Sequence, residues 1–224
     1  MPENRVEAVE RALTILESFS EPGEEVSLGE LSKRTGFYKS TLLRLLGSLQ
    51  HFGYVVRQPN GAYRLGPSLW RLGSLYRREF LPAETVRPIL RELQALSGET
   101  ASFYVRDGDE RVCLYRINSS KPIRHHLEEG ARLPLRRGAA GKLISAYMDA
   151  NDPEFAEIRD RGVAISRGER DPEIAAIAVP LFTSDGRFAG ALALSGLVAH
   201  FDADASQKYV AAMKEAARTH AIAL

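Results

Sequence analysis

Much of the chemistry open to this 224-residue sequence is excluded by what it lacks. There is one cysteine, Cys113, so no disulfide can form within the chain and no cysteine-based zinc cluster is available. Cys113 lies between Val112 and Leu114 in an apolar, strand-like run, which reads as a buried free thiol rather than a nucleophile. The five histidines offer no metal site either. His51, His200 and His220 are scattered, and the adjacent His125 and His126 would point to opposite faces of a strand. No metal or cofactor is expected. The longest apolar stretches, such as residues 175–182, are far short of the roughly 20 residues of a membrane-spanning helix. The opening Met-Pro-Glu-Asn-Arg carries no apolar signal-like region, so a cytoplasmic location without a membrane partner is expected. Neither a phosphate-cradling glycine loop nor a serine-elbow motif is present.

One absence is local. Residues 31–78 contain no Asp or Glu but nine basic residues: Lys33, Arg34, Lys39, Arg44, Arg57, Arg64, Arg71, Arg77 and Arg78. Residues 1–78 hold 11 basic against 8 acidic side chains and the remainder 19 against 21, although the whole chain has a net charge of only +1. A long acid-free basic stretch points to a polyanionic partner; a solvated basic face is the competing reading. With 44% hydrophobic residues the chain is long enough for two modest cores.

Helical periodicity begins with Val6, Val9, Leu13, Leu16 and Phe19, read as a core face that Glu-Pro-Gly at 21–23 terminates. Ser27-Leu28-Gly29-Glu30 is a capping box opening a second helix, which Gly36 ends. A third helix is predicted over 39–52, with Leu42, Leu45, Leu46 and Leu49 as its apolar stripe. Its opposite face carries Ser40, Arg44, Gly47 and His51, flanked by Lys39, Thr41 and Ser48. A recognition helix enters the major groove by its N-terminal part, so Ser40, Thr41 and Arg44 suit base edges and Lys39 a phosphate. A solvent-facing helix with incidental polar residues is the alternative. Next, Asn60-Gly61 between strand-like runs predicts a hairpin wing. With those two as turn residues, Arg57 would lie opposite Arg64, a repulsive pair that a DNA phosphate would relieve. The elements amount to a winged helix-turn-helix.

These residues resemble a known family. Positions 9–20 and 28–49, and above all GYVVRQPNGAYRLG followed by SLWRLG, look like the N-terminal domain of the IclR-type bacterial regulators. The resemblance implies a homo-dimer or tetramer that binds a pseudo-palindromic double-stranded DNA operator and responds to a small-molecule effector.

Pro67 can open a helix with Leu69, Leu72 and Leu75, and residues 83–97 form another with Val86, Ile89, Leu90, Leu93 and Leu96 as its stripe. They read as connectors. Two strands are expected around Asp107-Gly108-Asp109, a third near Ile123, a loop and helix in LPLRRGAAGKLISAY, two buried strands joined by Ser184-Asp185-Gly186, and a closing helix over 205–223. Strands mixed with helices give an α+β sensor domain. The expected organisation is a winged helix-turn-helix over 1–78, a linker helix over 79–98 and an effector-binding domain over 99–224.

PLRRGAAGKLISA, RGVAISRGE and IAVPLFTSDGRFAGALALSG resemble segments of the IclR effector domain, which is GAF-like. Only a dozen residues separate Met148 from Arg161, where that family carries a longer helical insert. The resemblance carries ligand contacts onto Ala139, Ala140, Ser166, Ile174, Ala176, Ala193 and Ser195. Alanine at 176 and 193 replaces a thiol and a hydroxyl, which implies a larger or more apolar effector, a carboxylic or aromatic acid. Free amides near Ala140 and Gly141, helped by Arg137, could hold a carboxylate; alternatively Arg136 and Arg137 answer Glu128 and Glu129 at the surface. An enzyme with a winged-helix appendage would need a nucleophile and base among Cys113, Ser195 and the histidines, none of which stands in a recognisable motif. A protein-interaction module is the third class, which the basic stretch disfavours.

Overall fold

The computed structural model describes residues 5–77, 80, 83–121, 127–149 and 152–219. Arg78, the strand expected near Ile123, His125, His126 and His220 lie outside them. The chain divides into two compact units, 1–79 and 80–224.

The first unit contains α1 (Glu7–Glu17), α2 (Leu28–Thr35), α3 (Lys39–His51), the hairpin β1 (Val55–Arg57) and β2 (Tyr63–Leu65), and α4 (Pro67–Arg77). The Ser27 hydroxyl accepts from Glu30 N at 3.1 Å, one half of a capping box; the Glu30 carboxylate turns instead to Lys33 and Arg34. Gly36 ends α2 in the left-handed conformation. The core is small, with Ile15, Leu31, Leu42, Leu46, Val55 and Tyr63 at its centre.

Helix α1 departs from its expected packing. Ile15 is its fully buried residue, with Ala12, Leu16 and Phe19 beside it, whereas Val6, Val9 and Leu13 are exposed. The helix therefore carries two apolar stripes, and only one meets the core. Helix α4 buries no residue at all; Trp70 is 71% exposed, and Leu72 and Leu75 are open to solvent.

The second unit begins with α5 (Ala83–Ser97), followed by β3 (Thr100–Asp107), β4 (Glu110–Ile117), β5 (Arg132–Pro134), α6 (Ala139–Met148), α7 (Ala156–Arg161), β6 (Ala164–Arg167), β7 (Ile174–Phe182), β8 (Phe188–Leu197) and α8 (Ala203–Thr219). Helix α5 is more than a connector: Val86, Ile89, Leu90 and Leu93 are buried in this unit's core. Six antiparallel strands form one sheet in the order β5-β4-β3-β8-β7-β6. Because side chains alternate, Phe103, Val105, Val112, Leu114, Ile177, Val179, Leu192 and Leu194 point to one face, where α5 and α8 cover them. The opposite face carries Tyr104, Cys113, Ala164, Ala178, Ala191 and Ala193 and receives α6 through Leu143 and Ile144. One face is thus built of large side chains and filled, while the other is built largely of alanine.

Candidate functional site

In the first unit α3 buries Leu42, Leu46 and Leu49, which turns Lys39, Ser40 and Arg44 outward. Thr41 is half-buried; with Arg44, Leu45 and Ser48 it lines a groove against Glu7, Ala8 and Arg11 of α1. Acid-free in sequence is therefore not acid-free in space. Arg34 pairs with Glu24 and Glu30, holding the Glu24 carboxyl down at about 2, and Lys33 reaches Glu30 at 3.7 Å. Glu7 is itself paired with Arg11. Lys39 and Arg44 on α3, Arg57 and Arg64 in the wing, and Arg71 and Arg77 on α4 form no ion pair among the described residues, so the basic charge left available is shared by these three elements.

The wing has a different register from the one the Asn-Gly pair implies. Val55 faces Leu65, Val56 faces Arg64 and Arg57 faces Tyr63. The loop has three residues, because Gln58 and Ala62 still pair (Gln58 N to Ala62 O, 2.8 Å) and Gly61 N returns to Gln58 O at 2.9 Å. Pro59, with its fixed φ, takes the first central place in that turn, and Gly61 follows at φ +82°, a bulge conformation that disfavours any side chain. Asn60 accepts from Ala62 N and donates to Glu25 Oε2, pinning the tip. Paired residues share a face, so Arg57, whose guanidinium lies 6.0 Å from the Tyr63 ring centre, and Arg64 point to opposite faces of the ribbon. The two arginines do not form the repulsive pair that was expected, and they cannot share one phosphate.

In the second unit a cavity opens between the start of α6 and the alanine-rich sheet face. It is narrow: the space open to the centres of water-sized molecules is about 50 Å³, within about 550 Å³ of total space that includes the solvent at its mouth. All seven positions inferred for the effector, Ala139, Ala140, Ser166, Ile174, Ala176, Ala193 and Ser195, line it. Strand alternation explains the grouping, since Ala176 pairs with Ser195 and with Ser166, and Ala193 lies two residues from Ser195 on the same face. The first amide of α6 is occupied: Ala139 N donates to Ser166 Oγ at 3.1 Å. Gly138 N donates to Glu169 Oε2 at 3.0 Å, and that carboxylate also holds Lys142. The amides of Ala140 and Gly141 have no partner among the described residues and stand where the helix dipole favours negative charge.

Arg137 does not line this cavity and is exposed, and Arg136 pairs with Asp152 and Glu154 at 2.8 and 2.9 Å rather than with Glu128 or Glu129. The buried cation in the wall is Arg111, which the sequence reading missed along with Tyr104, Glu169, the exposed Arg170 and Asp171. Its sequence signal is parity alone: two residues from Cys113, it must face the α6 side of β4. Burial draws the Arg111 guanidinium down to about 10, still protonated at neutral pH, and pushes the Tyr104 hydroxyl up to about 12. Burial also raises the Cys113 thiol to about 11, so it carries almost no thiolate near neutral pH.

A model described as the IclR helix-turn-helix domain matches residues 8–59, and one described as the bacterial transcriptional regulator IclR C-terminal matches 82–154 and 152–221, two pieces that meet at the shortened segment. The HTH-type transcriptional regulator XynR of Escherichia coli (strain K12) is 30% identical over 223 residues, 88% of each protein. The crystal structure of the Thermotoga maritima IclR has a TM-score of 0.77 at 23% identity, covering 95% of this chain and 96% of that one. An IclR homolog from Microbacterium hydrocarbonoxydans, crystallised with 4-hydroxybenzoate, has a TM-score of 0.75 at 20% identity, covering 96% and 97%.

Proposed function

The chain belongs to the IclR family of bacterial transcriptional regulators, with a DNA-binding and an effector-binding domain, and from that premise we propose that it binds its operator as a homo-oligomer under the control of a small aromatic or carboxylic acid. Lys39, Ser40, Thr41 and Arg44 meet the major groove, while Arg57 and Arg64 contact phosphates independently of each other. No covalent chemistry is part of this reading. The DNA half is supported by cations on α3 and in the wing that form no ion pair among the described residues. Oligomerisation is supported by the exposed stripe Val6, Val9 and Leu13 and by Trp70, Leu72 and Leu75, apolar surface that a second copy would cover.

Arg57→Ala is expected to weaken binding about equally on all sequences and to lower the salt slope by about 1, whereas Arg44→Ala relaxes sequence preference at one position at a loss of roughly 1–3 kcal/mol for the cognate base. Operator titrations over a salt series measure both, and unchanged binding in the two variants rules out this docking.

What carries the ligand half is the cavity, in which alanines stand where hydroxyl or thiol groups would serve a compact oxyacid. The 4-hydroxybenzoate bound by the Microbacterium relative agrees with an aromatic acid. Thermal shift with acids of increasing size should give its largest response with aromatic ones; a response confined to glyoxylate-sized acids would sink that choice.

A further inference from the structure

Resting on the effector-binding reading above, we infer that Arg111 is the charge anchor of the cavity and grips the effector's carboxylate side-on through Nε and Nη2. Arginine is rarely buried without an acid beside it. Arg111 is only 3% exposed, yet no Asp or Glu forms an ion pair with it among the described residues. Its hydrogen bonds both leave from Nη1, to the carbonyl oxygens of Pro134 and of Arg137, the latter at 2.7 Å. Nε is buried with no partner, and the ring of Tyr104 lies 5.5 Å from the guanidinium carbon. The edge left over, Nε with Nη2, is the fork that matches a carboxylate with two parallel N–H bonds. Nearby Glu169 does not fill it, being engaged by Lys142 and Gly138 N.

The position of the guanidinium makes this edge part of the same site. It sits against the start of α6, close enough that a Cβ on Gly138 would come within 3.3 Å of Nη2 and one on Gly141 within 2.6 Å of Nη1. The Nη2 end of the free edge is therefore beside Gly138, at the positive end of the helix, where a carboxylate is favoured. Beyond it the wall combines the apolar Ala140, Ile174, Ala176 and Ala193 with Ser166 and Ser195. Glu169 and Asp171 also line the cavity, offset in part by the exposed Arg170, so with Arg111 as the buried cation the site suits a monocarboxylate better than the dianion of a phosphate monoester.

The test is calorimetric titration of the full-length protein with benzoate, 4-hydroxybenzoate and cinnamate, each beside its neutral amide, and with phenyl phosphate. At least one acid is expected to bind, its amide about 100-fold more weakly; Arg111→Met should lose the acid by a similar factor, and Arg111→Lys should recover part of it. An acid and its amide binding within threefold of each other, or Arg111→Met binding the acid as the parent does, overturns the anchor and leaves the effector reading standing. Phenyl phosphate binding more tightly than the acids overturns the choice of carboxylate. If neither acids nor amides nor phenyl phosphate bind, the effector reading and the anchor both fall. Should Arg111→Met fail to fold, the acid and amide comparison on the parent protein decides the question unaided.

Discussion

Replacing Leu46 with alanine is expected to abolish operator binding at 37 °C although Leu46 faces away from DNA. Leu46 is fully buried in the small core that joins α3 to Ile15, Leu31 and Val55. A leucine-to-alanine change at such a site costs about 3–5 kcal/mol, the lost transfer energy plus the cavity left behind. A domain of this size has about 5 kcal/mol to lose, so the unit becomes marginal and the recognition helix loses its platform. The thermal transition of the first unit should fall by roughly 15–25 °C. Leu43, three positions earlier on the same helix and 49% exposed, supplies the control: Leu43→Ala should change stability by no more than about 0.5 kcal/mol. A Leu46→Ala protein that melts within about 5 °C of the parent and keeps its operator affinity would show that this core does not hold α3 in place.

The second large effect is at Gly141. A Cβ there would stand 2.0 Å from the Leu135 carbonyl oxygen and 2.6 Å from Arg111 Nη1. The carbonyl belongs to backbone and cannot swing aside, so Gly141→Ala must push the start of α6 away from the 134–137 segment. Overpacking of this kind costs about 1–3 kcal/mol, a fall of roughly 4–10 °C in the melting of the second unit. The displacement also separates the free amides from Arg111, so the protein should lose its response to acids even where it folds. Gly47, an exposed position inside α3 with nothing within 4 Å of its Cβ, is the comparison: Gly47→Ala should stabilise by about 0.5–1 kcal/mol through helix propensity alone. Full effector response in Gly141→Ala would mean that the close approach of α6 to Arg111 is not needed for binding.

The parts legible in the sequence are those governed by local rules. Helix α3 starts at Lys39 as its stripe requires, Ser27 caps α2, and the Asp107-Gly108 turn joins β3 to β4 with Asp107 opposite Glu110. Two of the misreadings depend on a partner distant in sequence, and the third on a turn residue beside the Asn-Gly pair. Val6, Val9 and Leu13 have the spacing of a core face, but α1 has a second stripe through Ala12, Ile15 and Phe19, and periodicity cannot say which of two meets the core. In the wing, Pro59 shifted the turn by one residue, and a one-residue slip reverses every side chain after it. Arg136 found Asp152 and Glu154, more than fifteen residues downstream, in place of acids eight residues upstream.

The effector cavity shows the same division. The sequence by itself determined its materials: a run of alanines and serines on alternate strand positions, a glycine-rich approach to a helix, and a basic first domain. Only the tertiary structure decided that Ala176, Ala193, Ser166 and Ser195 face one space, because that depends on the register in which the three neighbouring strands β6, β7 and β8 pair and on α6 packing over them. It also decided that Arg111, an unremarked residue after a hairpin turn, is the cation buried there, while Arg137 is left outside. Alternation along a strand is a local property that a sequence displays. Which strands are neighbours, and which charge is left without a partner once they pack, depends on the whole chain closing around them.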